Sequence, residues 1–236
     1  MIKIYGRNVV KETVYANKRK IYNVYLSEEH KVQEKKFIDY CNDKKIKITF
    51  QPKIFFKKLN LGLDQGFVCE IDNYQYKELE DCLDTNKKQL FIILDNLEDP
   101  HNLGAILRTA DACQVDGIII PKNNSISLNA TVAKVSTGAI EHVNVIEVNN
   151  INSCIDKLKK CNFWVVGTDM DAEKCYTELE FDTSVAIVIG SEGFGMKKLT
   201  RQKCDYNVYI PMSGHVNSLN ASVSCALLMY EWVRKK

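Results

Sequence analysis

Three stretches of this chain bring together residue types that can do chemistry. Gly190-Ser191-Glu192-Gly193-Phe194-Gly195 places three glycines within six residues around one carboxylate. Glycines so spaced let backbone approach a ligand closely. The loop Met212 to Ser218 runs into Leu219-Asn220-Ala221-Ser222, which opens a helix. Free N–H groups at such a start suit an anionic or carbonyl-bearing ligand. Asp95 to Gly104 is a polar loop ahead of a helix expected from Ala105 to Cys113, which carries Arg108. A guanidinium there can clamp a phosphate bidentately. Asn102 is six residues from Arg108; lying ahead of the helix, it could point with Arg108 toward the N-terminal end. His101 fits a general base or a solvated loop histidine. Asp95 and Asp99 fit capping better than metal binding, because the loop lacks the cluster of oxygen ligands a metal needs. The glycine loop taken alone also reads as tight turns with a solvated glutamate. It matches neither G-x-S-x-G, G-x-x-x-x-G-K-[ST] nor G-x-G-x-x-G, so the hydrolase, P-loop and Rossmann signatures are absent.

The elements that must position these loops alternate. Leu90–Leu94, Gly117–Ile120, Val143–Val148, Phe163–Gly167, Val185–Ile189 and Tyr206–Ile210 are short apolar runs that read as buried strands. Helices are expected at 128–137, 151–160 and 221–234, with a short amphipathic segment at 196–203. Alternation of this kind predicts an α/β fold around a parallel sheet, with ligands at the carboxyl ends of its strands. The last two strands are read as neighbours. The last helix carries Tyr230 and Trp232 beside Leu227 and Leu228, which suggests burial against a partner or else a wide core face.

Ahead of these lies a small α/β unit, residues 1–75. It has a helix from Val9 to Ala16, a strand at 21–26, and a helix at 29–42 with Val32, Phe37, Ile38 and Cys41 on one side. A strand at 46–50, a helix from Pro52 and a strand at 67–71 complete it. Residues 76–88 read as a linker. The chain's net charge is +2, but residues 1–75 carry +6 and residues 76–236 carry −4. A basic first unit suits a polyanion, or is simply a lysine-rich surface. Nine scattered cysteines without a C-x-x-C pair suit packed thiols in a reducing cytoplasm. No apolar run approaches the roughly 20 residues of a membrane helix, so no membrane partner is expected.

Taken together, LDNLEDPHNLGAILRTADA at 94–112, IVIGSEGFGM at 187–196 and IPMSGHVNSLNASVSCALLMYE at 210–231 resemble the motifs of the SpoU/TrmH family of RNA ribose 2′-O-methyltransferases, in order and spacing. The first unit resembles an RNA-binding domain related to ribosomal protein L30e. It is carried by the branch that methylates a guanosine of large-subunit (23S) ribosomal RNA. GRNVVKE and DQGFVCEI fit that branch, although Asp64-Gln65-Gly66 stands where His-Gln-Gly is commoner.

The resemblance implies an L30e-like domain at 1–75 and a methyltransferase domain at 89–236 whose chain forms a deep trefoil knot. It implies S-adenosylmethionine as methyl donor, RNA rather than DNA as partner, no metal, and a homodimer. Gly190, Ile210 and Leu219, with Thr168 and Gly195, would hold the donor. Asn102, Arg108, Glu192, Ser218 and Asn220 would surround the reacting groups. The family proposal makes Arg108 a base. A guanidinium with a pKa above about 12 suits a phosphate clamp and alkoxide stabiliser better. Alternative functions are methylation of a tRNA guanosine and RNA binding in ribosome assembly without turnover.

Overall fold

The computed structural model describes residues 1–123, 125–191 and 195–236. Two compact units divide the chain: residues 1–75 with 128–142, and residues 76–127 with 143–236. The first begins with β1 (Ile2–Tyr5), α1 (Arg7–Ala16), β2 (Ile21–Ser27), α2 (Lys35–Asp43), β3 (Ile48–Gln51), α3 (Lys53–Leu59) and β4 (Phe67–Ile71). Its sheet has the order β1-β4-β2-β3, with β4 antiparallel to β1 and β2, and β3 parallel to β2. Val9, Val10, Thr13 and Val14 form the buried face of α1. Gly6, at φ 101°, makes the turn from β1 into α1, a conformation that favours glycine.

The helix expected from Glu29 begins only at Lys35. Glu28–His30 form a single 3₁₀ turn, and Val32 is 86% exposed rather than on the apolar face. Glu34, just ahead of α2, is buried and pairs with Arg7 (2.7 Å) and Lys11 (2.5 Å) of α1. The apolar face starts after that anchor, at Phe37.

The second unit begins with α4 (Leu79–Cys82), within the expected linker. There follow β5 (Leu90–Leu94), α5 (Pro100–Ala112) and β6 (Gly117–Pro121). The chain then enters the first unit as α6 (Ala130–Val135). It returns with β7 (Val145–Val148), α7 (Ile151–Lys160), β8 (Trp164–Thr168), β9 (Lys174–Cys175), β10 (Val185–Ile189), α8 (Lys198–Lys203), β11 (Tyr206–Tyr209) and α9 (Ala221–Lys235). The seven strands lie in the order β7-β6-β5-β10-β8-β11-β9 and all pair in parallel. All five residues of β5 and of β10 are buried, as parallel strands covered on both faces require.

Three expectations are corrected. β10 and β11 are not neighbours, because β8 runs between them. α5 starts at Pro100 rather than Ala105: Asp99 caps it by accepting from His101 N (2.9 Å), and Pro100 occupies the first turn, where its missing N–H costs nothing. Asn102 therefore lies inside the helix. Trp232 is buried against Phe181, ring centroids 5.2 Å apart, and leaves Tyr230 on the outer face of α9.

Residues 128–142 join the first unit through buried Val132, Ala133 and Ile140 and through the buried Glu141. Arg19 donates from Nε to Glu141 Oε2 (3.2 Å) and from Nη2 to Oε1, and Thr13 Oγ1 donates to the same carboxylate (3.0 Å). Arg19 also stacks on Tyr74 at 3.8 Å. Cys41, Cys69, Cys113, Cys154 and Cys225 are packed and Cys161 is exposed, so the expectation of packed thiols holds for most of them; burial pushes Cys41 up to about 11 and Cys154 and Cys204 up to about 12. Among the described residues no helix is long and apolar enough to cross a membrane.

Candidate active site

In a parallel sheet the carboxyl ends of β5, β10, β8 and β11 share one edge. A cavity of about 530 Å³ opens there. Thr168, Gly190, Gly195, Ile210 and Leu219, the five residues expected to hold a donor, all line it, as do Ser218 and Asn220. Asn102 and Arg108 do not. Glu192 lies outside the described residues.

The loop after β10 closes on itself. Ser191 N donates to Gly195 O (3.1 Å) and Gly195 N to Ser191 O (2.9 Å). A Cβ at Gly190 would collide with the backbone of Gly195 and Met196, so glycine is required where the two ends of the loop touch. Asp95 secures the loop from the next strand. It is 2% exposed and accepts from Lys197 N (3.4 Å) and Thr200 Oγ1 (3.2 Å) at the start of α8, with Lys197 Nζ at 3.6 Å. Asp95 therefore caps, but it caps a helix a hundred residues further on. Thr168 Oγ1 donates to Val188 O (3.2 Å), tying β8 to β10 below the cavity.

Asn220 connects the cavity to α5. Its Oδ1 accepts from Ser222 N (2.9 Å) and caps α9, while its Nδ2 donates to Asn102 Oδ1 (2.9 Å). Asn102 is buried on the first turn of α5. Arg108, nearly two turns on, is exposed, and its side chain forms no hydrogen bond or ion pair among the described residues. His101 is exposed and, among the described residues, donates only its backbone N–H, to Asp99. The same residues include no group of His, Cys, Asp and Glu able to hold a metal ion. The sequence offered no signal for Arg201 in the cavity wall. For Asp169 and Asp171 it offered only their position just after a strand.

Residues 89–230 match the model of the SpoU rRNA Methylase family. The chain belongs to that family. Residues 3–77 match a second model, RNA 2′-O ribose methyltransferase substrate binding. YacO of Bacillus subtilis, described as a TrmH family tRNA/rRNA methyltransferase, is 42% identical over 99% of this chain and 95% of its own. A Staphylococcus aureus protein of the same description is 47% identical over 99% and 96%. The SpoU methyltransferase AviRb from Streptomyces viridochromogenes, solved with AdoMet, superposes with a TM-score of 0.83 over 99% of this chain and 89% of its own, at 20% identity, and shares the fold. At the level the family sets, the protein is an RNA methyltransferase with a substrate-binding region ahead of its methylase region.

Proposed function

We propose that the protein methylates a ribose 2′-hydroxyl of RNA, a guanosine of 23S ribosomal RNA, with S-adenosylmethionine as donor. The observation that carries this reading is the Asn220–Asn102 bond, which links a donor-sized cavity to the helix bearing Arg108. A volume of about 530 Å³ falls within the roughly 300–1,000 Å³ usual for cofactor sites. Ile189, Ile210 and Leu219 offer apolar contact for a purine, and the glycine loop offers backbone. Bound there, S-adenosylmethionine supplies an electrophilic methyl group on a sulfonium.

The chain's own groups do the rest. Gly190 and Ile210 at the strand ends and Leu219 just ahead of α9 hold the donor through backbone. Arg108 clamps the phosphate beside the target ribose and stabilises the developing alkoxide, and the proton leaves to that phosphate or to water. Asn102, Glu192, Ser218 and Asn220 complete the surround. Positioning of this kind contributes on the order of 7–11 kcal/mol.

The basic first unit, matched to a substrate-binding model, supports a large RNA. Relatives described as tRNA/rRNA methyltransferases are compatible with either RNA, and tRNA guanosine is the second reading. Two copies pair through the methyltransferase domain. Val223, Tyr230 and Val233 are exposed along α9 beside half-buried Ala226 and Leu227, an apolar stripe at helical spacing. The domain limits 1–75 and 89–236 and the knotted path belong to the same reading. Mass spectrometry of nucleosides from rRNA and tRNA of a deletion strain tests it. Loss of one 2′-O-methylguanosine from 23S rRNA is expected, and unchanged rRNA with a lost tRNA methyl selects the second reading. Intact methylation in both would leave only RNA binding.

A further inference from the structure

β8 runs between β10 and β11. The residue that leaves it, Asp169, thus emerges between the two loops that hold the donor in the reading above. Asp169 N donates to Val208 O at 2.9 Å, which extends the β8–β11 pairing and fixes where the side chain starts. The side chain is only 12% exposed, yet the residue lines the cavity. Its Oδ1 accepts from Asp171 N at 3.0 Å. Its Oδ2 is buried, meets the Arg201 guanidinium of α8 as an ion pair, and accepts no hydrogen bond among the described residues. Among the described lining residues Arg201 is the one cation, and Asp169 and Asp171 are the carboxylates.

A buried carboxylate oxygen without a hydrogen bond costs free energy until a donor reaches it. Arg201 already balances its charge, so a second cation would gain little there. Neutral O–H groups, which make strong bonds to a carboxylate, would gain most. The part of a nucleoside-bearing donor that offers two such groups side by side is the ribose. Parallel sheets that bind dinucleotides also place an acidic side chain on the ribose hydroxyl.

We propose that Asp169, oriented by Arg201, accepts the ribose hydroxyls of the methyl donor. This rests on the donor reading above and adds one recognition residue and one positioning residue to it. Arg201 has a side chain 45% exposed and is the partner with room to shift as the hydroxyls arrive.

The test is calorimetry with two probes, S-adenosylhomocysteine and its 2′-deoxyribose counterpart, on the full chain and on Asp169→Ala and Asp169→Asn. The full chain should bind the deoxy probe roughly 10- to 100-fold more weakly, the usual value of a hydrogen bond to a charged group. Asp169→Ala should lose a similar factor for S-adenosylhomocysteine and bind both probes alike. Asp169→Asn keeps one acceptor and should keep part of the discrimination. Arg201→Gln should shrink the discrimination and Arg201→Lys restore some of it. Equal weakening of both probes by Asp169→Ala, with discrimination intact, would overturn the proposal, since the carboxylate would then only shape the loop. Should the alanine variant fail to fold, equal binding of both probes by the full chain overturns it as well. A full chain that binds neither probe would instead overturn the donor reading beneath it.

Discussion

Asn102 and Arg108 share one helix and differ in every physical respect. Asn102 is buried on the first turn and receives a hydrogen bond from Asn220 at the cavity wall. Arg108 is exposed and makes no ion pair among the described residues. Six residues along an α-helix put two side chains on different faces. One face of α5 is thus fixed in the core, whereas the other presents an exposed guanidinium, which in the proposed reading RNA would order. The difference separates architecture from chemistry: losing Asn102 should damage the fold and the loop, and losing Arg108 should damage only the reaction.

Arg108→Ala should give the largest effect. Removing one donor to a developing charge costs roughly 100- to 1,000-fold in rate, with S-adenosylhomocysteine affinity unchanged by calorimetry. Arg108→Lys should recover part of this, because it keeps the charge and loses the planar fork. A lysine variant with full activity that rises toward pH 10 would make residue 108 the base, since lysine loses its proton near a pKa of about 10.4.

Asn102→Ala sharpens the contrast from the other side. It leaves the Asn220 amide short of a buried acceptor and should cost about 1–3 kcal/mol in denaturant unfolding. Asn220→Ala on that background should add less than it does alone, because the two share one bond. The smallest effect expected is that of Arg108→Ala on unfolding itself, within about 0.5 kcal/mol. A larger loss would place Arg108 in the fold rather than in the chemistry.

Much of this was legible in the sequence because the signals are local. The strands Val185–Ile189 and Leu90–Leu94 and the helix Ile151–Lys160 follow from apolar runs and periodicity, and they end where those patterns end. The start of α5 did not follow, because Gly104 and the polar run before it resemble a loop. In the structure Gly104 is buried within the helix that Asp99 and Pro100 begin. Strand order is not local information, so nothing in β10 or β11 announces that β8 lies between them. The same holds for residues 128–142, whose place in the first unit rests on buried Val132, Ala133 and Ile140 and on Arg19 meeting Glu141 over a separation of 122 residues. Gly190, Ile210 and Leu219 were named from the family resemblance, and all three line the cavity. Arg201 was not, since only tertiary packing brings α8 to that wall.

The central claim is that a fixed cavity holds the donor while Arg108 serves the RNA. It is tested most directly by one assay on RNA from a deletion strain. Purified protein and Arg108→Ala are each incubated with labelled S-adenosylmethionine, and 2′-O-methylated nucleosides are counted while S-adenosylhomocysteine binding is measured in parallel. The account predicts one 2′-O-methylguanosine per 23S rRNA from the unaltered protein, at least a hundredfold less from the variant, and equal affinity for S-adenosylhomocysteine. Equal methylation by both proteins, or a methyl group found on a base, would contradict it.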